Sequence, residues 1–122
     1  MLSKKQLDKV FKKKALKSTV KSFKLVAIAF SESGHLITSA VNMRGGGSIS
    51  KWTTHAEEAL IRKLIKISAR NRYGEIAVVV ARWSPTKGWA MAKPCCRCEA
   101  LLSEYGATAL YYTSNNEVIR HW

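Results

Sequence analysis

The period of the apolar positions changes along the chain, and each change marks an element. Residues 3 to about 22 read as a basic helix with Leu7, Val10 and Phe11 on one face. Leu16 and Val20 fall on another face, so a break of phase near Ala15 is expected. Residues 24–31 and 35–42 read as strands, the first carrying Leu25-Val26-Ala27-Ile28-Ala29-Phe30, with Ser33-Gly34 as a hairpin turn between them. Gly45-Gly46-Gly47 then ends regular structure. Residues 55 to about 69 give the clearest helix: Leu60, Leu64 and Ile67 recur at helical spacing, Ile61 and Ile65 widen the stripe, and Arg62, Lys63, Lys66 and Arg70 take the other side.

Ile76 to Trp83 is a nearly continuous apolar run, as a strand covered on both faces requires. Ser84 to Lys93 reads as a loop. Pro94 suits the first turn of a helix that runs to about Tyr105 and stops at Gly106. Residues 108–113 and 118–121 are strands joined by Ser114-Asn115-Asn116, a turn short enough to make them an antiparallel pair. Helices alternating with strands predict a single α/β domain over residues 1–122. Its expected form is a three-layer α/β/α sandwich with one mixed five-stranded sheet whose last two strands form an antiparallel hairpin.

Composition narrows the function. An apolar share of 47% in 122 residues supports a core and argues against disorder. No stretch approaches the roughly 20 apolar residues of a membrane span. No apolar run follows the N-terminal lysines, so a secretory signal is not expected and the expected location is cytoplasmic. The formal net charge is +13. Residues 1 to 24 carry nine lysines and one aspartate, and the remainder is basic too, with twelve basic and seven acidic side chains. Such a field attracts polyanions, of which nucleic acid is the commonest, although the same charge serves simple solubility.

All three cysteines lie between Cys95 and Cys98, which is not the spacing of a disulfide scaffold. Cys95 and Cys98 form a Cys-x-x-Cys at a helix start, where two sulfurs can share one ion. His55, at the start of another helix, would supply a third ligand. Zinc takes this donor set, and three protein ligands leave a fourth position for water. Helix N-termini favour thiolates, and Glu57, two residues beyond His55, can lie beside the metal and move protons. Each piece has another reading. Cys-x-x-Cys alone serves structural zinc sites and redox pairs. Thr54-x-x-Glu57 is also a capping box.

His55-Ala56-Glu57 followed by Pro94-Cys95-Cys96-Arg97-Cys98 matches the H-x-E…P-C-x-x-C pattern of zinc deaminases. In these motifs and in its element order, the chain resembles the cytidine deaminase-like superfamily. The resemblance implies that His55, Cys95 and Cys98 ligate zinc and that Glu57 is the proton shuttle. It also implies that the backbone N–H of Ala56 contacts the base. Asn42 looks like the asparagine that contacts the sugar in many members, and it is also an ordinary strand-ending residue. The terminal strand pair is similar to that of free-nucleoside deaminases and some toxin deaminases. The segment from Ala92 to Val118 also looks like small phage-type deaminases. The glycine-rich stretch Met43–Thr53 and the ten residues between Trp83 and Pro94 depart from the family pattern.

Three readings of the substrate follow. The first is cytosine in single-stranded nucleic acid, with Trp52, Trp83 and Trp89 as stacking surfaces unless they fill the core. The second is free cytidine, deoxycytidine or their nucleotides. The third is a non-catalytic zinc module that binds nucleic acid, against which Glu57 argues. Adenine is an alternative base, and assembly is open, a homo-oligomer included. If the charge serves binding, polynucleotide affinity should fall with salt at a log–log slope of about −0.7 per phosphate contact. Removing residues 1 to 14 deletes six lysines and should flatten that slope. An unchanged slope in a salt titration would make the segment a solubility or packing element.

Overall fold

The computed structural model describes residues 8–12, 24–44, 53–84 and 86–122. Its frame is one mixed sheet. β1 (Lys24–Ser31) lies between β2 (Leu36–Val41) and β5 (Ile76–Ser84), antiparallel to both. Beyond β5 come β7 (Ala109–Ser114), parallel to it, and β8 (Glu117–Arg120), antiparallel to β7. These are the five expected strands, with the expected terminal hairpin. Two further strands, β3 (Met43–Arg44) and β4 (Thr53–Thr54), pair as a small ladder flanking the glycine-rich stretch.

A sixth strand joins the main sheet. β6 (Gly88–Ala90) pairs antiparallel with the end of β5, so the segment expected to be a plain loop from Ser84 to Lys93 doubles back on its own strand. Three residues are too few to show an alternating pattern, which is why the sequence hides them. β6 takes the edge of β5 where β7 stops pairing with it. Side chains fix the handover: Thr113 Oγ1 donates to Ala90 O at 2.8 Å and accepts from Arg82 N–H at 3.2 Å. Asn116 Oδ1 accepts from Trp89 N–H at 2.9 Å, and Asn116 N–H donates to Trp89 O at 2.8 Å. Gly88, at φ 74°, sits so close that a Cβ there would lie 2.5 Å from Asn116 Oδ1.

Alternation along β1 and β5 divides the core. Ala27, Ala29, Val78 and Val80 face one side and pack with Leu60 and Leu64 of α1 (Ala56–Lys66), Ala69 of α2 (Ala69–Tyr73) and Leu102 of α3 (Cys96–Tyr105). The helix expected to run from 55 to about 69 instead stops at Lys66, and a left-handed Ser68 (φ 51°) resets the chain. Ile65, expected in the buried stripe, is 63% exposed, because Ala56, Leu60 and Leu64 already fill the face turned to the sheet.

On the other side, Val26, Ile28, Val79 and Ala81 pack with Phe11 and Trp89. Phe11 belongs to a π-helical turn, Asp8–Lys12, and stacks on Phe30 while meeting Trp89 edge-on. Asp8 Oδ1 accepts the Trp89 indole N–H at 2.7 Å. This turn supplies the described part of the third layer. The rest of the expected helix over 3–22 lies outside the described residues. Because Phe11 is fully buried, deleting residues 1–14 would open a cavity costing about 3–5 kcal/mol. The salt test of the N-terminal charge is therefore better made by lysine-to-alanine substitution.

The handover predicts a local weak point. Asn116→Ala leaves Trp89 N–H without its side-chain acceptor and places alanine at φ 63°. A loss of about 1–3 kcal/mol is expected in urea denaturation. A loss under about 0.5 kcal/mol, the level of an ordinary surface change, would mean that Asn116 does not hold β6 in place.

Candidate active site

Two helices begin at the same end of the sheet, and each begins with a metal donor. His55 is the N-cap of α1, and its carbonyl accepts from Ala59 N–H. Cys95 is the N-cap of α3, and its carbonyl accepts from Glu99 N–H. Neither residue makes a side-chain cap hydrogen bond, so both side chains are turned to another task. Cys98, one turn into α3, is buried. His55 Nδ1 lies 3.1 Å from Cys98 Sγ and 3.9 Å from Cys95 Sγ, and the three donor atoms all lie within 4.8 Å of one another. Donors on one tetrahedral zinc should stand about 3.6–3.8 Å apart, given its bond lengths to nitrogen and sulfur. The residues present therefore fit the ion in both chemistry and spacing. Cys96 is exposed and outside this group.

Glu57 sits at the second position of α1, with its side chain 4% exposed. A capping box would make Thr54 the N-cap and Glu57 the third helical residue. The observed N-cap is His55, so that alternative fails. Burial pushes the Glu57 carboxyl above the ordinary carboxylate range, while its own backbone N–H, His55 and the Cys98 thiol partly oppose this. Glu57 Oε1 is buried with no hydrogen-bond partner among the described residues. A buried orphan oxygen beside an N,S,S donor set calls for a partner that the side chains around it do not supply. Burial, then the Glu57 charge, push the Cys98 thiol far upward, so without a cation it holds its proton. Outside the cluster, Arg97 donates to Glu58 Oε1 at 3.0 Å and ties α3 to α1.

A cleft of about 260 Å³ opens onto His55, Glu57 and Cys95, with Leu25, Arg82, Met91, Ala92 and Lys93 completing its walls. Cys98 is buried and is not among the lining residues, so His55 and Cys95 are the two donors that the cleft reaches.

The sequence matches the family described as the cytidine and deoxycytidylate deaminase zinc-binding region over residues 2–114. The chain belongs to that family. It is a zinc-dependent deaminase, and zinc is its cofactor. No curated protein sequence matches it significantly. Among solved structures, the deaminase is similar to cytidine deaminase from Mycobacterium leprae, with a TM-score of 0.65 and 22% identity over 98% of this chain and 94% of that one. It is similar to dCMP deaminase from the cyanophage S-TIM5, with a TM-score of 0.67 and 19% identity over 91% and 82% of the two chains. It is also similar to cytidine deaminase from Burkholderia pseudomallei, with a TM-score of 0.65 and 18% identity over 98% and 91%. At these identities the likeness is one of fold.

Other expected substrate contacts fare differently in the deaminase. Trp89 is fully buried on the far side of the sheet and hydrogen-bonded to Asp8, so its ring offers no stacking surface. Trp83 meets it edge-on at 5.1 Å, in the same far-side cluster. Trp52 lies outside the described residues. Asn42 is buried; its Oδ1 accepts Leu25 N–H at 2.9 Å and its own N–H donates to Leu25 O at 3.1 Å, a task that ends the β1–β2 ladder. The Ala56 side chain is buried in the helix-side core, so its backbone is what it has to offer a substrate. The residue that sequence reasoning missed is Arg82. It hides in an apolar run, but strand alternation turns it to the cleft while its neighbour Trp83 turns away.

One zinc per deaminase chain is expected by metal analysis. His55→Ala, Cys95→Ala and Cys98→Ala should each lose it, and Cys96→Ala should retain it. A requirement for Cys96 with His55 dispensable would instead indicate a structural site built on other ligands.

Proposed function

We propose that the deaminase hydrolyses the exocyclic amine of cytosine in single-stranded nucleic acid, with His55, Cys95 and Cys98 as its zinc ligands and Glu57 as its proton carrier. The observation that carries this reading is the convergence of the three donors beside a buried carboxylate, at the floor of a cleft. Zinc, when bound, supplies the Lewis acidity that lowers the pKa of water to about 7. Glu57 does the rest of the proton work. It accepts a proton from the attacking water as a C–O bond forms at the ring carbon, and it gives a proton to the departing amine, which leaves as ammonia. Its raised proton affinity suits a group that must hold a proton between those two acts.

The support for a polyanionic substrate is charge. Arg82 and Lys93 line the cleft, Glu57 is the one acidic side chain among its lining residues, and the whole chain carries +13. A free nucleoside carries no phosphate and gains little from this field, whereas a polynucleotide gains counterion release at each contact. An unpaired strand is favoured because extruding a base from a duplex costs a few kcal/mol. Stacking on Trp83 and Trp89 no longer contributes to the case.

A second reading is deamination of free cytidine, deoxycytidine or a nucleotide. Its support is the fold likeness to two cytidine deaminases and a dCMP deaminase over 91–98% of this chain, together with the tight β7–β8 hairpin.

Glu57→Gln should keep fold and zinc while lowering kcat by about 10²- to 10⁴-fold, the usual reach of a general acid–base. Full activity in that variant would end the assigned mechanism. With the wild-type protein, uracil formation followed by mass should be faster on a single-stranded oligonucleotide than on deoxycytidine at equal base concentration, and should fade as salt rises. Faster, salt-insensitive turnover of deoxycytidine would establish the second reading.

A further inference from the structure

A second cavity, of about 410 Å³, adjoins the catalytic cleft. Arg82 and Met91 line both, and Ser84, Lys87, Trp89, Ala90, Ser114 and Asn115 complete the second. The two thus lie side by side, with Arg82 and Met91 as the ridge between them. The catalytic part, at about 260 Å³, is below the usual size of a small-molecule site, which runs from about 300 to 1,000 Å³. A substrate larger than a nucleoside would extend beyond it, and the ridge at Arg82 and Met91 offers one way out.

The chemistry of the second cavity is one-sided. It has two cationic side chains, Arg82 and Lys87, the hydroxyls of Ser84 and Ser114 and the amide of Asn115, and its lining includes no carboxylate. Arg82 bridges the two compartments, while Lys87 lines the second alone. Its walls are also fixed. The handover bonds of Thr113 and Asn116 hold β6 against β5 and the β7–β8 turn, so the cavity is bounded by paired backbone on both sides. Met91, 53% exposed on the ridge, gives a base or sugar an apolar edge to rest on.

We propose that this cavity is a subsite for the phosphate-bearing unit joined to the nucleoside that reacts, with Arg82 and Lys87 as its anion contacts. The proposal rests on the deaminase reading above and specifies how a phosphate-bearing substrate is preferred. Two sources share this chemistry: the terminal phosphate of a mononucleotide, and the phosphodiester with its neighbouring nucleotide in a strand.

The test compares kcat/KM of the zinc-loaded full chain on deoxycytidine, on dCMP, and on dinucleotides carrying a neighbour on the 5′ or the 3′ side. Lys87→Glu is compared with Lys66→Glu, which removes equal charge from an exposed position on α1 that lines neither cavity. The expected result is that Lys87→Glu lowers the ratio of phosphate-bearing to phosphate-free turnover about tenfold or more, and that Lys66→Glu does not. Loss confined to dCMP identifies the terminal phosphate, and loss confined to one dinucleotide identifies the strand and its direction. Anisotropy of a labelled trinucleotide bound to the Glu57→Gln protein should weaken in parallel for Lys87→Glu. Equal ratios for wild type and Lys87→Glu, or equal effects of the two lysine changes, would overturn the subsite. The polynucleotide reading fails separately, if wild-type protein prefers deoxycytidine to every oligonucleotide.

Discussion

A carboxylate and two thiols drawn into one small space, under the first turns of two helices, is the constraint around which this fold is arranged. Left alone, the set is uncomfortable. Burial raises the proton affinity of Glu57, and burial together with the Glu57 charge keeps the Cys98 thiol protonated. A divalent cation held by His55, Cys95 and Cys98 would ease this, since it would favour the thiolate and supply positive charge beside the carboxylate. The topology exists to deliver this arrangement: parallel pairing of β5 with β7 requires a helical crossover, α3, and α1 packs beside it against the same face of the sheet. Both helix starts then fall at one end of the sheet.

What the sequence showed clearly were the features with local spacing. His55-x-Glu57 and Cys95-x-x-Cys98 lie within a helical turn each, so they were legible as candidate site residues, as was the β7–β8 hairpin with its Asn115-Asn116 turn. Features fixed by distant partners were not. β6 is three residues long and is held by Thr113 and Asn116, more than twenty positions away. Trp89 is turned from the cleft by a core contact with Phe11 and a hydrogen bond to Asp8, 81 positions earlier. Arg82 was legible only after the register was known, because parity decides which of Arg82 and Trp83 lines the cleft. Asn42 illustrates the same limit: its place at the strand end was evident, and its bond to the Leu25 backbone was not.

This redistribution changes how the basic character should be understood. Aromatic surfaces and charge together first suggested a strand-binding groove. Trp83 and Trp89 turn out to be structural, and the positive side chains lining the two cavities come from β5 and from the segment β6 anchors. An element invisible in the sequence thereby supplies the strongest local reason to expect an anionic substrate.

The edge-on contact of Trp83 and Trp89 has a practical consequence. Two indoles held 5.1 Å apart in a fixed orientation make an optically active pair, whose near-ultraviolet circular dichroism depends on tertiary packing rather than on helix or strand content. Because Asp8 and Phe11 fix the Trp89 ring, this signal reports on whether the N-terminal turn is docked. The chain thus carries an intrinsic optical probe on the face opposite its catalytic cleft, readable without substrate, label or metal.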